Sequence, residues 1–322
     1  MTPVIYTPRF LNHISSPETA ERAEQSYEYL KSHSVSEFVE PKQFDEKYIK
    51  AVHSSSYIRQ LKMDAEYKTD LYQNACISAF GCLTAGELVS QEQTKTAMVL
   101  NRPPGHHTYK DYGGGFCYLN NVAILARYLQ KHGMEKIMIL DWDAHHGNGT
   151  ESIFYDDPSV LFCSIHQSPL YPGTGKLMDT GVDEGLGYTI NLPVVPETGH
   201  DTYIKLFKEI IVPVGKEFNP DIVLISSGLD SHYNDPLTDL TLSDRSYYDM
   251  TRCVKRLISD KIITVLEGGY NIENVKRSNH EIYLALSGKP SESEAIQYIP
   301  ETDTMKYMVK QYKESIAGFW NI

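Results

Sequence analysis

Ile139-Leu-Asp-Trp-Asp-Ala-His-His-Gly-Asn-Gly149 joins a β-type apolar run, Lys136 to Leu140, to two carboxylates and two imidazoles. Asp141, Asp143 and His145 alternate, and on an extended backbone side chains two residues apart point to one side, roughly 7 Å from each other. One lip of a site therefore carries three hard or borderline metal ligands. Gly147 and Gly149 then release the chain from strand geometry. A polar surface loop, or a helix N-cap at Asn148, is the plainer reading. Against it, two aspartates directly after an apolar run are costly to place near a core without a partner.

The same arrangement recurs outward in both directions. Ala97 to Leu100 leads into Arg102-Pro-Pro-Gly-His-His-Thr108, and Val160 to Ile165 ends at His166. Asp221 to Ser227 runs into Gly228-Leu-Asp230, and Ile262 to Leu266 into Glu267-Gly-Gly-Tyr-Asn271. Tyr188 to Leu192 is a further short strand. Helical spacing marks 16–30, with Ser16 as N-cap and Pro17 in the first turn, then 45–62, 70–89 and a helix after Tyr118 that ends at Gly133. Later helices are read at 149–155, at 200–218 with a kink at Pro213, at 243–260, and near the C-terminus around Met305, Met308 and Tyr312. Asp64, Glu66 and Asp70 read as an acidic solvated loop. Strands alternating with helices predict one α/β domain over residues 1–322, a mainly parallel sheet of about eight strands with helices on both faces. Every cluster of His, Asp, Gly and Tyr follows the C-terminal end of a strand, the edge where open α/β sheets bind ligands.

Composition narrows the partners. With 322 residues and a formal net charge of −12, the chain repels nucleic-acid phosphates and anionic lipid surfaces and favours cationic ligands. No run approaches 18 apolar residues and no secretory h-region follows Met1. The five cysteines are odd in number and lack a Cys-x-x-Cys pair; Cys117 and Cys163 read as buried thiols, which suits a reducing cytoplasm.

Four clusters can meet at the strand ends: His106-His107, Asp143-x-His145, Asp230 and Tyr270. Three protein ligands with an open position are the catalytic arrangement for zinc, and the carboxylate share also admits Fe(II), Mn or Co. A metal there would acidify water, the paired histidines could carry protons, and Tyr270 could donate to a developing oxyanion. Such an assembly hydrolyses amides.

Residues from about 13 to 275 resemble the zinc-dependent histone deacetylases, class II type, of the arginase/deacetylase fold. The resemblance rests on Arg102-Pro-Pro-Gly-His-His107, Gly115-Phe-Cys-Tyr-Leu-Asn-Asn121, Asp141-x-Asp-x-His-His-Gly-Asn-Gly149, Tyr171-Pro-Gly-Thr-Gly175, Ser227-Gly-Leu-Asp230 and Leu266-Glu-Gly-Gly-Tyr-Asn271. It implies zinc on Asp143, His145 and Asp230, His107 as the main proton carrier with His106 assisting, and Tyr270 on the carbonyl oxygen. It also implies Asp141 behind His106 and Asn148 behind His107. A carboxylate partner favours an imidazolium at His106, whereas an amide leaves His107 freer to act as base. The acyl tunnel would be walled by Gly115, Phe116 and Tyr171, the last in place of the commoner phenylalanine. A potassium ion would sit on Asp141, Asp143, His145, Ser164 and Ile165, and a second at Phe154 and Tyr188.

The resemblance makes removal of acetyl or other acyl groups from lysine the expected reaction, on a protein or peptide substrate. An acetylpolyamine amidohydrolase is the alternative, although Leu237 stands where polyamine-selective relatives carry an acid. A third possibility is an acyl-lysine binder without turnover.

Overall fold

The computed structural model describes residues 1–11, 17–67, 71–296 and 302–322. Its strands are β1 (Val4–Ile5), β2 (Phe38–Val39), β3 (Thr96–Val99), β4 (Ile137–Asp141), β5 (Val160–Gln167), β6 (Thr189–Val194), β7 (Ile222–Ser227) and β8 (Ile262–Leu266). The helices are α1 (Glu21–Ser32), α2 (Lys47–Lys50), α3 (Ser55–Tyr67), α4 (Leu71–Ser90), α5 (Asn121–Lys131), α6 (Asn148–Phe154), α7 (His200–Leu206), α8 (Val212–Phe218), α9 (Asp244–Leu257), α10 (Ile272–Ser287) and α11 (Asp303–Ile316). The strands form one sheet in the order β2-β1-β3-β8-β7-β4-β5-β6, and every described neighbour pair is parallel.

Alternation along the central strands supplies both cores. Met138 and Leu140 of β4, continued by Trp142, enter one core together with Val223 and Ile225 of β7. That core is closed by Leu30, Tyr203, Val214, Tyr247, Ile282 and Tyr312, drawn from α1 and α7 to α11. Ile137, Ile139, Ile222 and Leu224 enter the other, against Ile58, Phe80, Leu83 and Leu125. A slip of one residue in β4 would turn each of these side chains to the wrong layer. The register that buries Ile139 therefore also fixes where Asp141 and Asp143 emerge.

Topology then concentrates the strand ends. After β3 the chain jumps to β4 and builds outward through β5 and β6, and β7 and β8 return to fill the gap between β3 and β4. This reversal places the loops after β3, β8, β7 and β4 side by side, as the switch-point rule requires.

Several expectations need correction. α1 begins at Glu21 with Ala20 before it and no side-chain cap, because Glu18 is drawn into the interior by two arginines; Ser16 lies outside the described residues. The 45–62 helix is split into α2 and α3, since Ser54 N–H bonds the Lys110 carbonyl and His53 Nε2 accepts the Asn120 N–H. Asp64 sits on α3, whose backbone also includes Glu66, and Asp70 is outside the described residues, so there is no acidic loop at 64–66. The irregularity in the 200–218 helix is a π-turn at Phe207–Ile211, just before Pro213, and a wider turn there relieves the clash of the proline ring with the preceding carbonyls. α11 buries Val309, Tyr312 and Ile316, leaving Met305 and Met308 half-buried. The short strands β1 and β2, two residues each, carried no readable alternation, and α10 was not anticipated.

Candidate active site

The strand ends bring Asp143, His145 and Asp230 together: one ligand atom from each lies within 4.8 Å of the others. Both carboxylates are fully buried. His145 Nδ1 is 3.1 Å from Asp143 Oδ1 and 3.0 Å from Asp230 Oδ2. One ring nitrogen carries at most one proton, so it cannot satisfy two carboxylates. Three donors converging at this spacing fit a small cation, since bonds of about 2.0–2.2 Å place tetrahedral neighbours roughly 3.4 Å apart. The remaining carboxylate oxygens are already engaged, Asp143 Oδ2 by Gly268 N–H at 2.8 Å and Asp230 Oδ1 by Ala144 N–H at 2.8 Å. Gly268 is required for this approach. A Cβ there would stand 2.2 Å from Asp230 Oδ2 and 2.6 Å from Asp143 Oδ2. The donor set, its burial and its cradle therefore fit a divalent metal such as zinc.

Two histidines lie beside this centre, with ring centroids 4.0 Å apart. His106 Nδ1 meets Asp141 Oδ2 at 3.0 Å, whereas His107 Nδ1 meets the amide oxygen of Asn148 at 2.8 Å. Their electrostatics diverge accordingly. Burial opposes the His106 imidazolium, but Asp143, Asp141 and Glu267 outweigh it and hold its pKa up at about 10. Burial and the neighbouring His106 charge both push His107 well below its usual value, toward the neutral imidazole. At His145 burial is likewise opposed, and Asp143 and Asp230 raise it to about 11.

Tyr270 is half-buried at the end of the β8 loop. Burial, followed by the Asp230 and Asp143 charges, raises its hydroxyl well above the usual value, so it stays protonated as a donor. Its backbone N–H donates to Asp235 Oδ2 at 2.7 Å, and Asp235 Oδ1 accepts from Leu237 N–H at 3.0 Å. The predicted tunnel residues distribute around these groups. The Phe116 ring stands 6.1 Å from the Tyr270 ring, and Gly115 lies against the His107 ring. Tyr171 packs edge-on to His107 at 5.1 Å and 6.3 Å from His145. Leu237 lies on the exposed surface just past Asp235.

Ser164 pairs in register with Asp141, and Ile165 follows it, buried, on β5. Ser164 Oγ bonds His166 Nδ1 at 2.9 Å. Phe154 closes α6, and the Tyr188 carbonyl before β6 accepts from Phe162 N–H. Cys117 and Cys163 are buried free thiols, as expected.

Sequence reading missed Glu267, Asp235 and a second buried charge cluster. Glu267 Oε2 accepts from Gly105 N–H at 2.7 Å and His106 N–H at 3.1 Å, locking the histidine loop to the tyrosine loop. Burial lifts it to about 7. Its place at a strand end was the available signal. Glu18 Oε1 binds Arg22 at 2.9 Å and Arg102 at 2.7 Å, and Arg22 also donates to the carbonyls of Glu267 and Gly269.

A model of the histone deacetylase domain matches residues 16–286. The chain belongs to the histone deacetylase family. It is 37% identical over 326 residues to a probable deacetylase of Archaeoglobus fulgidus, an alignment covering 94% of this chain and 91% of that protein. It is 36% identical over 269 residues to histone deacetylase HDA1 of Candida albicans, covering 78% of this chain and 32% of that relative. The crystal structure of the HDA15 HD domain matches with a TM-score of 0.90 at 28% identity, covering 99% of this chain and 97% of the other. These relatives bear out the class II resemblance, and the chain is a deacetylase-type hydrolase with a buried Asp-His-Asp cluster that could hold a metal.

Proposed function

We propose that this histone deacetylase family member hydrolyses N-acyl groups from the ε-amino group of lysine. The observation that carries the reading is the pairing of the metal triad with two histidines of opposite character, one backed by Asp141 and one by Asn148. A zinc ion on Asp143, His145 and Asp230, or Fe(II) or Co(II) in its place, would supply Lewis-acid chemistry that acidifies water and polarises the acyl carbonyl. His107, neutral and open at Nε2, takes a proton from the attacking water. His106 keeps its charge beside it and stabilises the developing negative charge. Tyr270 donates its hydroxyl to the carbonyl oxygen as that oxygen gains charge. When the C–N bond breaks, the proton held at His107 passes to the lysine nitrogen, giving a carboxylate and a free amine. Phe116, Gly115 and Tyr171 line the approach of the acyl-lysine chain. Potassium between Asp141, the 143 and 145 backbone, Ser164 and Ile165 belongs to this reading, as do a second such ion near Phe154 and Tyr188 and a reducing, cytoplasmic setting.

An acetylated polyamine is the second reading, favoured by one feature. A cavity of about 620 Å³ beside Tyr270 is lined by Glu21, Glu24 and Glu273, a rim that attracts cations. Leu237 at the nearby surface weighs toward lysine. The test is a profile of released carboxylates over acetyl-lysine and longer acyl-lysine peptides and acetylspermidine, with metal content measured alongside. Turnover of acetyl-lysine peptide above acetylspermidine is expected. The reverse order sinks the lysine reading, and metal-replete protein inert on the whole panel sinks hydrolysis.

A further inference from the structure

Tyr171 stands beside His107 and His145, yet its side chain is 52% exposed and belongs to neither core. Its position depends on the irregular segment from Ser168 to Gly175. That segment ends on two buried imidazoles that have no part in the hydrolysis. His146 Nδ1 meets Thr174 Oγ1 at 2.8 Å, and His166 Nε2 meets the Gly175 carbonyl at 2.9 Å. The two rings lie 4.7 Å apart. Gly175 has φ +76°, and a Cβ there would come within 2.6 Å of both rings, so the segment is seated directly on them.

The far side of His146 is tied down as well. Its Nε2 lies 3.1 Å from Glu151 Oε2, which also accepts from Asn191 Nδ2 at 2.6 Å. A carboxylate only accepts, so Nε2 carries the proton. In the neutral ring Nδ1 is then left to accept the Thr174 hydroxyl. Asn191, Glu151, His146 and Thr174 thus form one directed chain from β6 through α6 to the Tyr171 segment.

We propose that this chain is a positioning device: by fixing Thr174 it holds the Tyr171 wall of the tunnel and so sets which acyl chains the site accepts. His146 and Thr174 act through Tyr171 and touch no reacting atom. The proposal rests on the acyl-lysine reading above, and its test has one arm that needs no turnover. Thr174 is exposed, so Thr174→Val removes the hydroxyl without opening the core.

In metal-loaded full-length protein, Thr174→Val should lower the preference for acetyl over butyryl peptide in kcat/KM by on the order of tenfold, the scale of one or two methylenes in a pocket. The melting temperature should stay at the wild-type value. Thr174→Ser, which keeps the hydroxyl, should restore the preference. In a Tyr171→Ala background Thr174→Val should change nothing further, because the two positions act as one unit. The second arm follows a 13C-labelled Tyr171 ring by NMR, where Thr174→Val should broaden or shift the resonance and Thr174→Ser should not. An unchanged preference and ring signal in Thr174→Val, failure of Thr174→Ser to restore them, or a full effect surviving in Tyr171→Ala would each overturn the proposal. If wild-type protein hydrolyses no acyl-lysine, the activity reading falls, and the ring signal still decides whether Thr174 positions Tyr171.

Discussion

Two buried charge clusters meet beneath Tyr270, and they solve the same problem in opposite ways. Glu18, Arg22 and Arg102 bring their own cations: one carboxylate lies between two guanidinium groups, with further donation to the carbonyls of Phe10, Glu18, Glu267 and Gly269. Asp141, Asp143, Asp230 and Glu267 form a set of four buried carboxylates whose positive partners among the described residues are histidines. A buried charge without a partner costs several kcal/mol. In the first cluster every ion faces an opposite charge from the chain itself, although Glu18 Oε2 has no hydrogen-bond partner among the described residues, whereas the second calls for a cation from outside. One is a brace and the other is a receptacle.

That contrast breaks most visibly at Asp143. Asp143→Asn should reduce bound metal to trace levels and hydrolysis to background, the largest effect expected anywhere in the molecule. Compared metal-free against metal-free, the same change should alter unfolding free energy by less than about 1 kcal/mol, because it removes charge from a set with too much of it. A metal-free loss of several kcal/mol would show that the receptacle is also a brace. Glu18→Ala poses the opposite case. Taking the shared carboxylate away from two buried guanidinium groups should cost about 3–5 kcal/mol in urea unfolding. A cost near zero would mean that water reaches the arginines and that the cluster is not closed.

Tyr270 lies where the clusters touch, since Arg22 grips the carbonyls on either side of Gly268 and its guanidinium lies 5.3 Å from the tyrosine ring. Tyr270→Phe should lower kcat by about 10²- to 10³-fold if the hydroxyl serves the oxyanion, with stability nearly unchanged. Equal losses of turnover and stability would assign the residue to the brace instead.

The receptacle was legible in the sequence and the brace was not, for a physical reason. Asp141, Asp143 and His145 sit within five positions, and strand alternation alone places them on one lip; Asp230 and Tyr270 follow apolar runs whose ends are readable. The brace joins residues 84 and 247 positions apart, with no period to connect them. Glu18 and Arg22 are even spaced like an ordinary exposed helical pair, so their burial could not be inferred from spacing. Central strands were placed to within one or two residues because unbroken apolar runs leave little choice. The two-residue strands β1 and β2 exist through pairing, β1 with β3 and β2 with β1, which no local pattern encodes.

Solvent supplies the control for the comparison. Glu46 meets Lys50 at 2.6 Å, contacts Lys62 and accepts from the Tyr72 hydroxyl at 2.9 Å, a network as rich as that of Glu18 but near the surface. Hydrogen bonds from the two lysines hold its pKa down at about 2, against an ordinary 4.5. A carboxylate depressed in the folded state stabilises above its unfolded pKa and loses that contribution as pH falls through the folded one. The window here is therefore about pH 4.5 down to 2. With the side chain 30% exposed and its lysine partners about half exposed, the net worth should be discounted for screening to about 0.5 kcal/mol. Glu46→Gln should cost that much at neutral pH in low salt, less in high salt, and nothing at pH 2. A loss as large as that for Glu18→Ala would mean that burial is not what separates a brace from an ordinary ion pair, and the comparison would have to be rebuilt on the number of partners instead.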